Sequence, residues 1–291
     1  MKPILTFLLG GLALAAMPPA LAQSGGLRLP KTLEAGSALS IQSSGRGTAD
    51  LYIVGHDQVL KRKVQLGETT FFAPGDIHNA GHYLAVLVGG SSTESSAFDV
   101  TASQHPEALS FLAKPSRLPV DLHDGISGVV YVFDAFQNLI LATTPVSFQL
   151  SGAAGAMQTR TVLTHNGVAW TKMNSAAKEG TAQFVARAGD AMNTRVIQQV
   201  PGNPCRLRMS ARPSGERLTL ETEPVCDCRG NSMPDGTIVS FTETYDGSES
   251  TVDVPLKGGV ARTDMPAYSG ARISVATGVF IGNEIRWRKQ R

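Results

Sequence analysis

The sequence predicts an all-β protein of tandem β-sandwich domains, and two observations lead to this prediction. The first is an internal repeat, in which Asp134 and Asp227 lie 93 residues apart (227 − 134) in similar surroundings. Self-similarity at a fixed spacing indicates tandem modules, and one β-sandwich domain has about 100 residues. The second is that apolar residues alternate with polar ones in strand-like runs. No long stretch has the period of about 3.6 residues that an amphipathic helix needs.

The repeat consists of an aspartate, an asparagine four residues later, and a Thr-x-Val-x-Phe run at the same offset in both copies. The matched pairs are Asp134 with Asp227, Asn138 with Asn231, Thr144 with Thr237, Val146 with Val239, and Phe148 with Phe241. Aspartate and asparagine favour turns because their side chains bond to nearby backbone groups. The alternation in the Val-x-Phe run predicts a strand with one buried face. We therefore expect Asp134, Asn138, Asp227 and Asn231 to stabilise two equivalent turns.

Proline-containing segments divide the chain into parts of domain size. They lie within 104–119 and at 201–204, where Pro-Gly-Asn-Pro is a strong breaker of regular structure. We predict a signal peptide followed by three domains, which are called the first, second and third module. Their predicted ranges are 1–22 for the signal peptide, 23–103 for the first module, 104–200 for the second module and 201–291 for the third module.

The N-terminal segment has the pattern of a secretory signal. Lys2 provides a basic start, residues 4–16 form an apolar run, and residues 20–22 are Ala-Leu-Ala, which suits cleavage. The apolar run is shorter than the ~20 residues that a membrane-spanning helix needs, and no later run could cross a bilayer. We expect a mature chain that starts at Gln23 and is exported to the periplasm, the cell surface or the medium.

The most specific feature of the first module is a tyrosine at the start of an apolar strand. Tyr83 follows Gly81 and precedes the run Leu-Ala-Val-Leu-Val. This pattern resembles the tyrosine corner of immunoglobulin-like sandwiches, in which the hydroxyl group bonds to backbone a few residues upstream. We expect Tyr83 to have that structural role.

The motifs of the second and third modules together resemble a bacterial repeat family. Asp-x-x-x-Asn, the Thr-x-Val-x-Phe strand, Gly-Val-Ala at 167–169 and 259–261, and an apolar strand at 279–281 are similar to the immunoglobulin-like repeats of invasin and intimin adhesins. The resemblance implies tandem immunoglobulin-like β-sandwiches, three domains after a signal peptide. In that family such repeats are stiff spacers, and binding belongs to a terminal lectin-like domain. No such domain is recognisable in this sequence, so the resemblance predicts a fold rather than adhesin activity.

The chain has three cysteines, Cys205, Cys226 and Cys228. An exported protein meets an oxidising compartment, so we expect a disulfide. We favour Cys205–Cys226 slightly over Cys205–Cys228, and both partners stay open; a Cys226–Cys228 bond would close a strained small ring. Closing a loop of about twenty residues would contribute ~3 kcal/mol. The third thiol is left over, and zinc binding is disfavoured because no histidine lies nearby in sequence.

No pattern in the sequence predicts catalysis, a cofactor or a metal. His78 and His82 with Asp76 are the one weak metal hypothesis, but they lie in a loop without a clear ligand set, and surface roles are favoured. Ser175 and Lys178 match the Ser-x-x-Lys pattern of penicillin-recognising enzymes. The Ser-Asp-Asn and Lys-Thr-Gly elements that those enzymes need are missing, which argues against this activity. We predict a protein that is not an enzyme.

Composition restricts the partners. The formal net charge is +2, which argues against nucleic acid because a nucleic-acid binder would show a basic stripe. We predict a non-enzymatic spacer, adhesion module or subunit of a cell-envelope assembly that acts through protein–protein contacts, with oligomeric state open. Candidate binding loops are 73–81, 134–144 and 227–237. The alternative is a carbohydrate-binding protein, although Trp170 and Trp287 are the only tryptophans, and we expect Trp170 to lie in the core or to cover a sheet.

Overall fold

The computed structural model describes residues 26–89, 92–152 and 157–288, and every regular element in these residues is a β-strand. The all-β prediction is therefore confirmed. The predicted signal peptide lies outside the described residues. Within the described ranges, the chain contains no helix of sufficient length and apolarity to cross a membrane.

The described part of the chain divides into two compact units, with the boundary between residues 100 and 101. The first unit has one hydrophobic core, formed by buried residues between 33 and 100. The second unit has two separate cores, one between 109 and 197 and one between 207 and 275. Three cores agree with three modules, but the second and third modules belong to one unit, so the domain bounds stay a prediction.

The first unit is a sandwich of a five-stranded and a two-stranded sheet. Its strands are β1 (Thr32–Glu34), β2 (Leu39–Gln42), β3 (Thr48–Gly55), β4 (Gln58–Gln65), β5 (Thr69–Phe72), β6 (Gly81–Gly89) and β7 (Ser92–Thr101). The sheet orders are β1-β7-β6-β3-β4 and β2-β5. Alternate residues of β3 and β6 point inward, so that Leu51, Ile53, Tyr83 and Ala85 are buried. This alternation is what a strand with one solvated face requires.

The second module pairs a three-stranded sheet with a five-stranded sheet. Its strands are β8 (Ala108–Lys114), β9 (Arg117–Pro119), β10 (Ile126–Phe133), β11 (Pro145–Gly152), β12 (Gln158–Leu163), β13 (Val168–Met173), β14 (Gly180–Ala188) and β15 (Ala191–Val200). The sheet orders are β13-β10-β8 and β12-β11-β14-β15-β9. Phe111, Phe148 and Phe184 lie between the sheets, with ring centroids 5.1 to 6.0 Å apart. This aromatic cluster is the centre of the second core.

The third module has a similar strand order, but its strands form a two-stranded, a three-stranded and a four-stranded sheet. Its strands are β16 (Pro204–Arg206), β17 (Met209–Ser214), β18 (Arg217–Thr222), β19 (Cys226–Asp227), β20 (Ile238–Tyr245), β21 (Ser248–Pro255), β22 (Arg262–Pro266), β23 (Arg272–Thr277) and β24 (Phe280–Arg286). The sheet orders are β16-β19, β17-β18-β22 and β21-β20-β23-β24. The β17–β18 hairpin places Ser214 opposite Arg217.

The repeated Val-x-Phe run occupies equivalent strands of the two modules. Val146 and Phe148 lie on β11, Val239 and Phe241 lie on β20, and all four side chains are fully buried. Each strand is central in its sheet, with a neighbour on both sides. The same apolar pattern therefore recurs because the same strand supplies the core of each sandwich.

Candidate functional site

The first copy of the repeated turn is organised by the carboxylate of Asp134, which is fully buried. Its Oδ1 accepts hydrogen bonds from the backbone N–H groups of Phe136 (2.9 Å) and Asn138 (2.8 Å). Its Oδ2 accepts from Asn138 Nδ2 (3.0 Å) and from the backbone N–H of Ser103 (3.0 Å). The carboxylate thus ties the turn to the segment that precedes the second module.

The second copy makes the same set of bonds around Asp227. Its Oδ1 accepts from the backbone N–H groups of Arg229 and Asn231, both at 2.9 Å. Its Oδ2 accepts from Asn231 Nδ2 (2.8 Å) and from the backbone N–H of Gly202 (2.9 Å). Each aspartate therefore bonds its own asparagine and one residue at the entry to its module.

The environment of Asp227 keeps its carboxylate charged. The residue is 6% exposed, and this burial alone would raise the pKa of Asp227. Hydrogen bonds from the side chain of Asn231 and from the backbone of Gly202, Asn231 and Arg229 outweigh burial and lower the pKa of Asp227 from 3.8 to about 2. All four bonds are charge-assisted at neutral pH, which makes them stronger than neutral ones.

Two loops of the second module, residues 120–125 and 174–179, brace one another beside this turn. Ser175 Oγ accepts a hydrogen bond from the backbone N–H of Leu122 (2.7 Å), and the backbone N–H of Ser175 donates to Leu122 O (2.9 Å). Asn174 Oδ1 accepts from the backbone N–H of Asp124 (2.8 Å). These hydrogen bonds hold the two loops together, and the loops form one surface.

Asn231 joins the Asp227 turn to that surface. It is 4% exposed; its Nδ2 donates to Ala177 O (3.0 Å), and its Oδ1 accepts from the backbone N–H of Glu179 (3.2 Å). The same side chain also donates to Asp227. One asparagine thus connects the turn of the third module with a loop of the second.

Arg229 makes the second connection between the two modules. Its guanidinium group donates two hydrogen bonds to the carboxylate of Asp121, from Nε at 3.0 Å and from a terminal nitrogen at 2.9 Å. Its carbonyl oxygen accepts a bond from Lys178 Nζ (2.9 Å). We call the contacts of Asn231 and Arg229 with residues 121 and 177–179 the junction.

The junction changes the interpretation of one predicted binding loop. Loop 227–237 was expected to be free for a partner, but its Asn231 is buried against the second module, and Arg229 is engaged there. Sequence reasoning found Asn231 through the repeat and missed Arg229 and Asp121. It named Lys178 only in the Ser-x-x-Lys match and missed its contact with Arg229. A signal for Arg229 existed, because it occupies the place of Phe136 in the first copy and the two copies differ there.

The disulfide joins Cys205 to Cys228, with a Cα–Cα distance of 4.9 Å, and Cys226 is a half-buried free thiol. The sequence left both partners open and slightly favoured Cys226. The β16–β19 ladder sets Cys226 opposite Arg206, and the turn that follows brings Cys228 to Cys205. The bond therefore holds the Asp227 turn to the segment that enters the third module.

Tyr83 has the geometry of a tyrosine corner. Its ring is 1% exposed and stacks on Phe98, with centroids 5.5 Å apart. Its hydroxyl group donates to Asn79 O (2.9 Å) and lies 3.1 Å from Gln58 Oε1. Burial raises the pKa of Tyr83. The side chain thus joins the core of the first unit to the loop before β6.

The residues of the weak metal hypothesis do not converge. His82 contacts the carboxylate of Asp99 on the adjacent strand β7, while His78 Nδ1 lies 3.1 Å from Gly75 O. Asp76 accepts a hydrogen bond from Arg62 at 2.7 Å. In the residues that the structure describes, no group of three His, Cys, Asp or Glu side chains could hold a metal ion.

Ser175 and Lys178, the residues of the Ser-x-x-Lys match, serve separate contacts. Ser175 Oγ accepts the bond from Leu122 and is 8% exposed. Lys178 Nζ donates to the carbonyl of Arg229 in the junction. Ser175 therefore joins the two loops of the second module, and Lys178 belongs to the junction.

Trp170 lies on the outer face of β13 and is 65% exposed. Of the two expected positions, the core is therefore wrong, and the position over a sheet face remains. Trp287 packs, partly buried, against the third core. Trp170 lines an open cleft of about 690 Å³ between β12 and β13, together with Arg160 and Lys172. This cleft is the second candidate site in the described part of the chain.

No protein-family model matches the sequence, and no curated protein matches it. Solved structures match the fold. Invasin, described as a bacterial integrin-binding protein, aligns with a TM-score of 0.51 and 11% identity over 90% of this chain and 60% of the invasin chain. InvD of Yersinia pseudotuberculosis aligns with a TM-score of 0.45 and 12% identity, over 91% of this chain and 86% of that chain. The FN1–FN3 domains of chicken CNTN1 align with a TM-score of 0.40 and 14% identity, over 91% and 99% of the two chains.

At 11% identity, the similarity to invasin concerns the fold alone. It confirms, at the level of fold, tandem immunoglobulin-like β-sandwiches of the invasin type. This chain spans 60% of the invasin chain. Function therefore has to be argued from the residues of this chain.

Proposed function

We propose that this chain is an exported, non-enzymatic spacer, adhesion module or subunit of a cell-envelope assembly, and that it acts through contacts with another protein. The observation that carries the proposal is the junction. Asn231 is buried between the second and third modules, and Arg229 forms a two-bond contact with Asp121. A spacer has to hold its modules in one orientation, and these contacts support that role.

The junction is specific rather than a flexible link. Domains of one chain move relative to each other by default unless their contact is well built. Here the asparagine of a structural turn is shared between two modules, and the carboxylate of Asp227 holds Gly202 of the linker at 2.9 Å. A linker that is bonded at Gly202 loses part of the freedom that a glycine-containing segment otherwise has.

Two features support export. The predicted signal peptide at 1–22 directs secretion. The Cys205–Cys228 disulfide suits an oxidising compartment, since cytosolic thiols stay reduced. A protein partner suits the exposed sheet edges of the sandwiches, because edges and loops on rigid β scaffolds are common binding positions.

The rigidity is tested by backbone ¹⁵N relaxation on the full chain. We expect residues of the second and third modules to share one rotational diffusion tensor in the wild type. A variant with Asp121→Ala, Lys178→Ala and Arg229→Ala should give separate tensors for the two modules. Arg187→Ala, which changes an exposed arginine of β14, is the control and should leave the shared tensor intact. Independent tumbling of the wild-type modules would overturn the spacer proposal.

Export and lack of catalysis need separate measurements. The N-terminus of the chain recovered from its source organism should be Gln23 and should be found outside the cytoplasm. Recovery of intact Met1 in the cytosol would contradict export. Turnover by the purified chain on a panel of ester, peptide and glycoside substrates would contradict a non-enzymatic role, and we expect none.

A further inference from the structure

We propose that the cleft between β12 and β13 binds an extended acidic segment of a partner protein. The inference rests on the proposed function and names the chemistry of its partner. The cleft has a volume of about 690 Å³. The lining residues that carry the argument are Arg160, Val162, Leu163, Val168, Trp170 and Lys172.

The cleft lies between the edges of two sheets. β12 pairs with β11, and β13 pairs with β10; no other strand pairs with either one in the described ranges. The edge of a sheet presents backbone N–H and C=O groups that can accept another strand. An extended peptide can therefore add to β13 by backbone hydrogen bonds, while its side chains find pockets in the cleft.

The walls of the cleft are unusually apolar for a solvated surface. Trp170 is 65% exposed and Leu163 is 61% exposed. On the outer face of the sheet β13-β10-β8, Val129 pairs with Leu112 on one side and with Trp170 on the other. Leu112 is itself 53% exposed, so Trp170 belongs both to the cleft and to an apolar row across three strands. Exposed apolar patches of this kind mark interaction sites, and a tryptophan commonly contributes most of the binding energy.

The charge of the cleft favours an acidic partner. Arg160 and Lys172 line the cleft, and Ser127 pairs with Lys172 on one side and with Lys114 on the other. The acid of the cleft is Asp124, which lies 3.8 Å from Arg160. Positive charge is therefore in excess in the cleft. It disfavours pairing with a basic strand or with the same edge of a second copy of the chain. An acidic segment neutralises this charge, which favours encounter and selects the correct partner.

The test measures binding of defined peptides to the full chain by fluorescence anisotropy. The probe is a labelled peptide of about nine residues that alternates valine with glutamate, long enough to span one strand. One comparison peptide has lysine in place of glutamate, and another is N-methylated at alternate amides so that it cannot extend a sheet. We expect the glutamate peptide to bind at least about tenfold more tightly than either comparison peptide.

Variants assign the binding to the cleft. Trp170→Ala and Lys172→Glu should each weaken binding of the glutamate peptide by about tenfold or more, and Lys172→Glu should also improve binding of the lysine peptide. The control is Val196→Ala, which removes a 60% exposed apolar side chain from β15 in the other sheet and should change nothing. An unchanged melting temperature shows that each variant is folded.

Three results would overturn the inference. The first is equal affinity for all peptides, and the second is an affinity for the glutamate peptide that Trp170→Ala leaves unchanged. The third is that the chain binds alginate and not the peptide, and that Trp170→Ala abolishes the binding of alginate. The last result would assign the cleft to an anionic polysaccharide. The junction variant should bind the glutamate peptide normally, so failure of the cleft and failure of the rigid spacer are separate outcomes.

Discussion

Arg229 donates two hydrogen bonds to the carboxylate of Asp121, a residue that lies 108 positions earlier in the chain. The planar guanidinium group matches both carboxylate oxygens, which fixes direction as well as distance. Both side chains are about half exposed, at 53% and 51%. The pair therefore contributes more to the orientation of two modules than to their stability.

The first prediction is a small, salt-sensitive coupling between these two residues. In a double-mutant cycle of Arg229→Ala and Asp121→Ala, thermal unfolding at low salt should give a coupling of about 0.5 kcal/mol, because exposed pairs are screened by water. The coupling should decrease at about 1 M salt, where the Debye length is about 3 Å. Strictly additive single variants at low salt would contradict the structural pair.

The second prediction concerns the pH dependence that Asp227 gives to stability. Its pKa is about 2 in the folded chain, below the ordinary 3.8. Stability from this group is complete above the ordinary pKa and is lost as pH falls through the folded pKa. Denaturant unfolding should therefore show the wild type losing stability from about pH 4 to pH 2.

Asp227→Asn checks this assignment. The neutral amide cannot accept the same four charge-assisted bonds, so we expect a loss of about 2 kcal/mol at pH 7 and a flatter profile below pH 4. Asp246→Asn alters an exposed turn residue with positive φ and serves as the matched control. A variant whose acid profile equals that of the wild type would show that the titration belongs to another group.

The third prediction separates the three cysteines. Cys205→Ser should cost about 3 kcal/mol, because the native disulfide closes a loop with a sequence separation of 23. Cys226→Ser should cost less than about 1 kcal/mol, because it changes a half-buried thiol outside the bond. Peptide mapping under non-reducing conditions should recover Cys205 joined to Cys228. Recovery of Cys205 joined to Cys226 would contradict the structure.

The fourth prediction concerns a buried acid in the third core. Glu243 is 3% exposed, and its Oε1 has no hydrogen-bond partner among the residues that the structure describes. Burial raises the pKa of Glu243 above 4.5. The charged carboxylate therefore destabilises the folded chain at a pH above the pKa of the folded state. This destabilisation decreases as the pH falls through that pKa, because the carboxylate becomes protonated. Glu243→Met should stabilise the chain by about 1 kcal/mol at pH 7, with a smaller gain near pH 4, measured by denaturant unfolding.

An exposed glutamate on the adjacent strand provides the comparison for that experiment. Glu249→Met changes a side chain of β21 that faces solvent. We expect no gain in stability from it at any pH. Destabilisation by Glu243→Met would mean that the carboxylate is satisfied in solution.

The fifth prediction concerns the tyrosine corner of the first unit. Tyr83→Phe keeps the stacking on Phe98 and removes the bond to Asn79 O. We expect a loss of about 1 kcal/mol in the free energy of unfolding, measured by denaturant titration, because the partly buried carbonyl of Asn79 loses that donor. Tyr131→Phe, at a 37% exposed position, should be neutral. Equal effects from both changes would argue against the corner.

Much of the fold was predictable because its signals are local. The alternation in Val146-Ser-Phe148 and Val239-Ser-Phe241 predicts strands with one buried face, and the structure buries these four apolar side chains. The spacing of Asp134 and Asp227 identifies equivalent turns, since each aspartate bonds groups two and four residues ahead. Hydrogen bonds of this kind join residues that are close in sequence, so a short stretch of sequence is enough to predict them.

The exposure of Trp170 could not be predicted in the same way. Aromatic residues usually serve burial, and Trp170 is flanked by Ala169, which is 1% exposed, and by Thr171, which is 5% exposed. Which of the two faces is solvated depends on strand register and on what covers the sheet. The disulfide partner depended likewise on the β16–β19 register, since Cys226 and Cys228 lie only two positions apart and local sequence does not distinguish them as partners of Cys205.

By itself, the amino-acid sequence determined the strand-built class, the repeat and the two aspartate turns, because periodicity and turn chemistry act over a few residues. Only the tertiary structure decided that Asn231 and Arg229 join two modules and that Trp170 borders an open cationic cleft. Those relationships connect residues 51 to 108 positions apart or depend on which sheet edge is left uncovered. The reason is that packing brings such groups together, while no local propensity encodes their approach.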